Sequence, residues 1–141
     1  MHPGDEMKLK EEIKKVLKGH EEILVSYLYG STVRGDNAKT SDIDIGLLLK
    51  EEFKEDALYP ARIAGEIKRK CNLNQEVDIR ILNNRPYRFL HQVIKNGEVI
   101  TSQDENERVK FETSVIDGYI DFKPFYKQYD EKRKERLLTC A

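Results

Sequence analysis

The pattern of apolar and polar residues along the chain predicts short strands that alternate with amphipathic helices. Apolar residues recur every three or four positions over 5–18, which is typical of a helix, and Gly19 is expected to end it. Short apolar runs bounded by turn residues predict strands over 23–29 and 42–49. A further helix is expected over 56–71, where apolar residues again recur at helical spacing after an entry near Pro60.

The second half of the chain begins with strict alternation over 76–82, which predicts a strand with Asp78 and Arg80 on its polar face. Pro86 is expected to open a helix that Asn96 and Gly97 close, and a short strand follows over 98–101. The C-terminal segment, about 104–138, is helical in pattern, with interruptions expected near Gly118 and Pro124. Strands separated by helices predict an α/β fold, a mixed sheet flanked by helices.

Composition narrows the classes of protein that this pattern allows. A chain of 141 residues predicts one domain over 1–141. The 25 basic and 26 acidic residues give a net charge of −1, so the chain has no global basic field and we expect no direct nucleic-acid binding. Two widely spaced cysteines are typical of free thiols in a reducing cytoplasm, and no apolar stretch is long enough to predict a membrane span.

Candidate chemistry is concentrated between Tyr29 and Gly46, in the run YGSTVRGDNAKTSDIDIG. Residues i and i+2 of a strand share a face, so Asp42 and Asp44 would point the same way while Ile43 enters the core. Pairing with the strand over 76–82 could bring Asp78 to the same place. Three converging carboxylates would repel one another, and Mg²⁺ ions would relieve that repulsion, which makes a two-metal site for phosphoryl transfer one interpretation.

The Asp-x-Asp pair alone is weak support for such a site. With 10 Asp in 141 residues, about 0.7 matches are expected by chance, and a solvated pair at the edge of a sheet would look the same. Gly30 and Ser31 make the combination specific, because a Gly-Ser pair at that fixed distance before Asp-x-Asp is expected only about 0.001 times. Glycine permits close approach of the backbone to a ligand, and the following residues could cradle a phosphate, with Arg34 one helical turn further on.

This arrangement of a strand, Gly30-Ser31, ten residues, Asp42-x-Asp44 and a later strand with Asp78 resembles the DNA polymerase beta-type nucleotidyltransferase superfamily. The fuller run GSTVRG…SDIDI is similar to the minimal nucleotidyltransferases (MNT), small antitoxins paired with HEPN-domain ribonuclease toxins. The resemblance implies a single polymerase beta-like domain with its motif region at 29–82. It implies metal binding, two Mg²⁺ ions, by Asp42, Asp44 and Asp78, with nucleotide binding by Gly30, Ser31 and Arg34.

The same resemblance implies an activity and a partner. The chain would transfer NMP to a hydroxyl, with AMP from ATP as the expected case and a tyrosine of a HEPN toxin as the expected acceptor. It would act as a cytoplasmic antitoxin. A small-molecule (antibiotic) nucleotidyltransferase, with its acceptor pocket built across a homo-oligomer, is an alternative. A non-catalytic antitoxin that masks the toxin by binding is another.

Aromatic residues are concentrated near the C-terminus, where six of the twelve fall between positions 111 and 129. They are Phe111, Tyr119, Phe122, Phe125, Tyr126 and Tyr129. One interpretation is a helical segment whose rings pack on the sheet, and the other is a surface that binds a partner protein.

Overall fold

The computed structural model describes residues 3–30 and 42–139, and within them helices alternate with the strands of one sheet. The elements in chain order are α1 (Pro3–Lys18), β1 (Ile23–Tyr29), β2 (Ile43–Leu49), α2 (Tyr59–Lys70), β3 (Val77–Ile81), α3 (Tyr87–Asn96), β4 (Glu98–Ser102) and α4 (Glu105–Thr139). The expected α/β fold, with a mixed sheet flanked by helices, is confirmed. Each predicted strand and helix lies within three residues of its expected bounds.

The described strands form a four-stranded sheet in the order β3-β2-β1-β4. β1 pairs antiparallel with both β2 and β4, whereas β2 and β3 run parallel. A parallel pair needs a crossover connection, and α2 supplies it between β2 and β3. β2 is therefore a central strand, and its acidic pair does not lie at an edge of the sheet.

Both faces of the sheet are covered, by different helices. Alternate residues of β2, Ile43, Ile45 and Leu47, are fully buried on the face that α1 and α2 cover. The opposite face carries Leu48 and Tyr27, which pack with residues of α3 and with Val115 of α4. Because side chains alternate along a strand, Asp42 and Asp44 share this second face with Leu48.

The helix α4 corrects one expectation, since it continues from Glu105 to Thr139 without a break at Gly118 or Pro124. Packing against α3 holds the helix on both sides of the proline. Tyr119 stacks on His91 with ring centroids 3.8 Å apart, and Asp130 accepts hydrogen bonds from the Arg88 guanidinium. A proline interrupts the hydrogen-bond ladder locally, and these contacts offset that loss.

Contrary to the expectation from the sequence, Gly118 does not break α4 but lies where α4 contacts α3. A Cβ atom at this position would lie 2.6 Å from the ring of Tyr87 in α3. The missing side chain therefore lets the two helices come together, and this glycine marks a close contact between helices.

Candidate active site

Three side chains from three adjacent strands lie in a row on the face covered by α3 and α4. Asp44 of β2 pairs in register with Tyr29 of β1 on one side and with Asp78 of β3 on the other. Directly paired residues point to the same face of a sheet, so a phenol and two carboxylates are brought together. Asp42 lies one residue before β2 and is exposed.

Gly30 closes this row at the end of β1, and its backbone explains why no larger residue fits. It adopts a φ of +84°, in the left-handed region that glycine occupies without steric cost. A Cβ atom here would also lie 2.3 Å from Oδ2 of Asp44. The glycine therefore leaves room for the Asp44 carboxylate, a requirement of the protein itself that precedes any contact with a nucleotide.

The carboxylates influence one another. Partial burial raises the pKa of Asp44, the negative charges of Asp78 and then Asp42 raise it further, and the cation of Arg80 opposes them. Three acidic groups therefore share one electrostatic environment, which a cation would stabilise.

A cationic side chain already neutralises part of this charge. Nε of Arg80 donates a hydrogen bond to Oδ2 of Asp78 at 3.3 Å, and the guanidinium lies 5.6 Å from the centre of the Phe89 ring. Within residues 3–30 and 42–139, no group of three His, Cys, Asp or Glu side chains is arranged to bind a metal ion. Asp78 is engaged by Arg80 instead, so a metal would have to compete with this ion pair.

The hydroxyl of Tyr29 is buried in the same place and, among the described residues, has no hydrogen-bond partner. Its ring meets the Phe89 ring edge-on at 6.0 Å. Burial raises its pKa to about 12, with Asp44 and Asp78 adding to the rise and Arg80 and Arg85 opposing it. The hydroxyl therefore remains a neutral donor at physiological pH, surrounded by the charged groups of the site.

Two of the expected nucleotide-binding residues cannot be placed. Ser31 and Arg34 lie outside the described residues, so their proposed contacts with phosphate stay predictions. Gly30, Asp42, Asp44 and Asp78 are described, and the structure brings them to one end of the sheet.

Comparison with family models gives the decisive observation. The model of the polymerase beta nucleotidyltransferase family matches residues 11–106, more than half of the chain and the whole of the site. The chain belongs to this family. A nucleotidyltransferase of this kind moves a nucleotidyl group between a triphosphate and an acceptor, and the superfamily resemblance found in the sequence is thus confirmed.

Solved structures with the same fold cover nearly all of this nucleotidyltransferase. A chain from a toxin–antitoxin structure with AMP-PNP has a TM-score of 0.74 at 20% identity, over 89% of this chain and 98% of that one. A chain from the complex of a tri-AMPylated Shewanella oneidensis HEPN toxin with its MNT antitoxin has a TM-score of 0.71 at 18% identity, over 92% and 98%. A chain from the MntA–HepT toxin–antitoxin has a TM-score of 0.70 at 18% identity, over 91% and 98%. Comparison with curated protein sequences finds no significant match.

The donor set of this nucleotidyltransferase suits Mg²⁺, a cation that prefers carboxylate oxygens and tolerates several waters in its coordination shell. Burial, and then the charges of Asp78 and Asp42, raise the pKa of Asp44, and a bound cation would stabilise its ionised form. Rotation of Asp78 away from Arg80 would complete the set, because the two side chains are half-exposed and their ion pair is weak.

Sequence reasoning missed Tyr29, Phe89 and the role of Arg80 in this site. The alternation over 76–82 had placed Arg80 on the same face as Asp78, which is a partial signal. Tyr29 had only its position before Gly30 to mark it, and Phe89 had none, because the packing of α3 over the sheet decides its place.

Proposed function

We propose that this nucleotidyltransferase is an MNT-type antitoxin that transfers AMP from ATP to a HEPN-domain ribonuclease toxin. The acceptor we propose is a tyrosine hydroxyl of the toxin, and its modification would abolish the ribonuclease activity. The observation that carries the catalytic part is the row Tyr29–Asp44–Asp78, closed by Gly30. The toxin partner is supported by the fold shared with chains from toxin–antitoxin complexes, one of them with an AMPylated HEPN toxin and another with AMP-PNP.

Each residue of the proposed site has its own role in the transfer. Asp42 and Asp44 would hold two Mg²⁺ ions, and Asp78 would complete the coordination of the one nearer the acceptor. When bound, Mg²⁺ neutralises the triphosphate and lowers the pKa of the acceptor hydroxyl. Gly30 and Ser31 would hold the triphosphate, so that the leaving pyrophosphate departs on the β1 side.

The transfer itself is an in-line displacement. The acceptor oxygen bonds to the α-phosphorus, the bond from that phosphorus to the bridging oxygen breaks, and pyrophosphate leaves with those electrons. The acceptor proton passes to the Asp78 carboxylate, the acidic group on the acceptor side. Positioning and charge provide most of the rate in such reactions, so few residues are required.

The direct test combines the protein with a HEPN-domain ribonuclease toxin, each NTP in turn, and Mg²⁺. Intact mass of both proteins and the ribonuclease activity of the partner are measured. We expect the partner to gain the mass of AMP from ATP and to lose ribonuclease activity. An unmodified partner with every NTP would contradict the transferase proposal.

A masking antitoxin without catalysis is the second candidate. The observation on its side is that Asp78 pairs with Arg80, although this pair is half-exposed and weak. The Asp44→Asn variant separates the two. A variant that neutralises the toxin as well as the parent protein does, without any gain in mass, would establish masking.

A further inference from the structure

Arg80 lies on β3, which β2 separates from the end of β1 where the proposed function places the triphosphate. β3 is an edge strand, so the side chains that follow Asp78 border open solvent on one side. The guanidinium is about half-exposed, at 48%, and within the described residues only its Nε is engaged in a hydrogen bond. The Phe89 ring supports it from α3, a contact that does not depend on Asp78.

The charge of Arg80 is compensated only while Asp78 has no other cation to bind. Once Asp78 helps to hold a divalent ion, one carboxylate has to serve both that ion and the guanidinium. In the proposed function the triphosphate is held at the end of β1 by Gly30 and Ser31, and β2 lies between that strand and β3. The positive charge of Arg80 is compensated again when the acceptor itself brings a negative charge to this position.

An unmodified tyrosine hydroxyl brings no such charge, whereas an acceptor that already carries one nucleotide brings a phosphodiester. A guanidinium is a planar fork that binds phosphate oxygens through paired N–H groups. The hydroxyl of Tyr29 lies on the same face but is buried, so the half-exposed guanidinium of Arg80 is the group that an incoming phosphodiester would meet.

We infer that Arg80 binds the phosphodiester of an acceptor that already carries one nucleotide and so favours addition of further nucleotides. This inference rests on the proposed transferase function. In each further step a ribose hydroxyl of the attached nucleotide bonds to the α-phosphorus of a new NTP. The bond to the bridging oxygen breaks, pyrophosphate leaves, and the ribose proton passes to Asp78.

The first experiment follows successive additions by intact mass over time, with ATP, Mg²⁺ and the HEPN partner. The quantity compared is the rate of the second addition divided by that of the first, which cancels any general loss of activity. We expect Arg80→Gln to lower this ratio at least tenfold and Arg80→Lys to restore part of it. Arg62→Gln is the matched control, because Arg62 forms a similar exposed pair with Asp56, and it should leave the ratio unchanged.

The second experiment measures binding without turnover. A tyrosine peptide that carries one AMP and the same peptide without it are titrated by fluorescence anisotropy against the protein loaded with Mg²⁺ and AMP-PNP. We expect the parent protein to bind the AMP-bearing peptide at least tenfold more tightly, and Arg80→Gln to reduce this preference to about twofold or less.

The outcomes separate the inference from the proposed function. A parent protein that transfers nothing contradicts the proposed function. A parent protein that adds a single nucleotide, or shows no preference for the AMP-bearing peptide, overturns the inference alone. An Arg80→Gln variant with the parent ratio and the parent preference would make Arg80 only a partner of Asp78, and would overturn it equally.

Discussion

At the scale of single residues, Asp44 is held where an ionised carboxylate is costly. It is partly buried, it pairs in register with Asp78, and Asp42 lies close by, so burial and like charges together raise its pKa. Such an arrangement reduces folding stability in exchange for a site that attracts a cation.

The first prediction follows from that cost. We expect Asp44→Asn to abolish nucleotide transfer while the free energy of unfolding at neutral pH, with a chelator present, stays level or rises. Removing the charge relieves the repulsion from Asp78 and Asp42. Intact mass and urea unfolding are the two measurements. Asp56→Asn is the control, since its hydrogen bond with Arg62 lowers the pKa of Asp56 and neutralising it cannot add stability in this way. A large loss of stability in Asp44→Asn would make Asp44 a structural residue.

The second prediction concerns Gly30. Gly30→Ala combines a positive φ with a Cβ atom 2.3 Å from Oδ2 of Asp44, so we expect it to displace that carboxylate. It should lower the free energy of unfolding by about 1 kcal/mol or more and reduce transfer sharply. Thermal unfolding and the mass assay measure the two effects.

Gly65 offers the matched control for Gly30, because it lies in α2 with open space around its Cα. Gly65→Ala should leave transfer unchanged and stabilise the protein by about 1 kcal/mol through helix propensity. Equal stability and equal transfer in the two alanine variants would show that the close approach of Gly30 to Asp44 matters for neither.

At the scale of elements, a polar network joins the segment before β1 to α2. Glu22 accepts hydrogen bonds from the hydroxyl of Tyr59 at 2.7 Å and from His20 at 3.2 Å, and His20 also contacts Glu66. Burial alone would raise the pKa of Glu22, but the bond from Tyr59 and the charge of His20 more than offset it, so the pKa is lowered. The network thus stabilises the face of the sheet opposite the site.

The third prediction uses the sign of that shift. An acid whose pKa is lowered by folding contributes stability that is present above its unfolded pKa, 4.5, and is lost as the pH falls through the lower folded value. Glu22→Gln should therefore cost about 1 kcal/mol at pH 7, and the two proteins should converge in stability well below pH 4.5. Urea unfolding across this range is the measurement. Glu76→Gln, in an exposed pair with Lys68, should differ little from the parent at any pH.

At the scale of the whole molecule, the aromatic residues of the C-terminal segment divide between packing and exposure. Phe111 packs against the buried residues between the sheet and α3, Tyr27 and Leu90 among them, and Tyr126 is half-buried beneath the Arg88 guanidinium. Phe125 and Tyr129 are 62% and 60% exposed on α4. The packing interpretation therefore holds for Phe111 and Tyr126, and the partner-surface interpretation stays a prediction for Phe125 and Tyr129.

The fourth prediction places the partner surface on the exposed rings. We expect the double change Phe125→Ser and Tyr129→Ser to keep the melting temperature but to weaken binding of the HEPN partner by about 2 kcal/mol or more, the usual effect of losing an aromatic anchor. Calorimetric titration with the partner measures it. Val109→Ser, which alters an exposed apolar residue nearer the start of α4, is the control and should bind normally. Unchanged affinity in the double variant would move the interface elsewhere.

No helix in the described parts of the chain has the length and apolar composition needed to cross a membrane. The longest, α4, carries charged residues along its whole length. The apolar residues exposed on it are therefore dispersed among polar ones.

The sequence by itself determined the strands, the helices and the acidic motif, because each depends on spacing within a short stretch of chain. Alternation over 76–82 was enough to place Asp78 and Arg80 on one face, and Gly30 with Ser31 was enough to distinguish Asp42 and Asp44 from chance. These are local properties, set by the periods of strand and helix.

Only the tertiary structure decided which residues meet. The register of β2 with β1 and β3 put Tyr29 and Asp78 on either side of Asp44, and the packing of α3 set Phe89 against Arg80. Contacts with α3 also kept α4 continuous through Pro124, against its local tendency. Pairing and packing join residues far apart in the chain, and no local pattern encodes the register or the angle at which they do so.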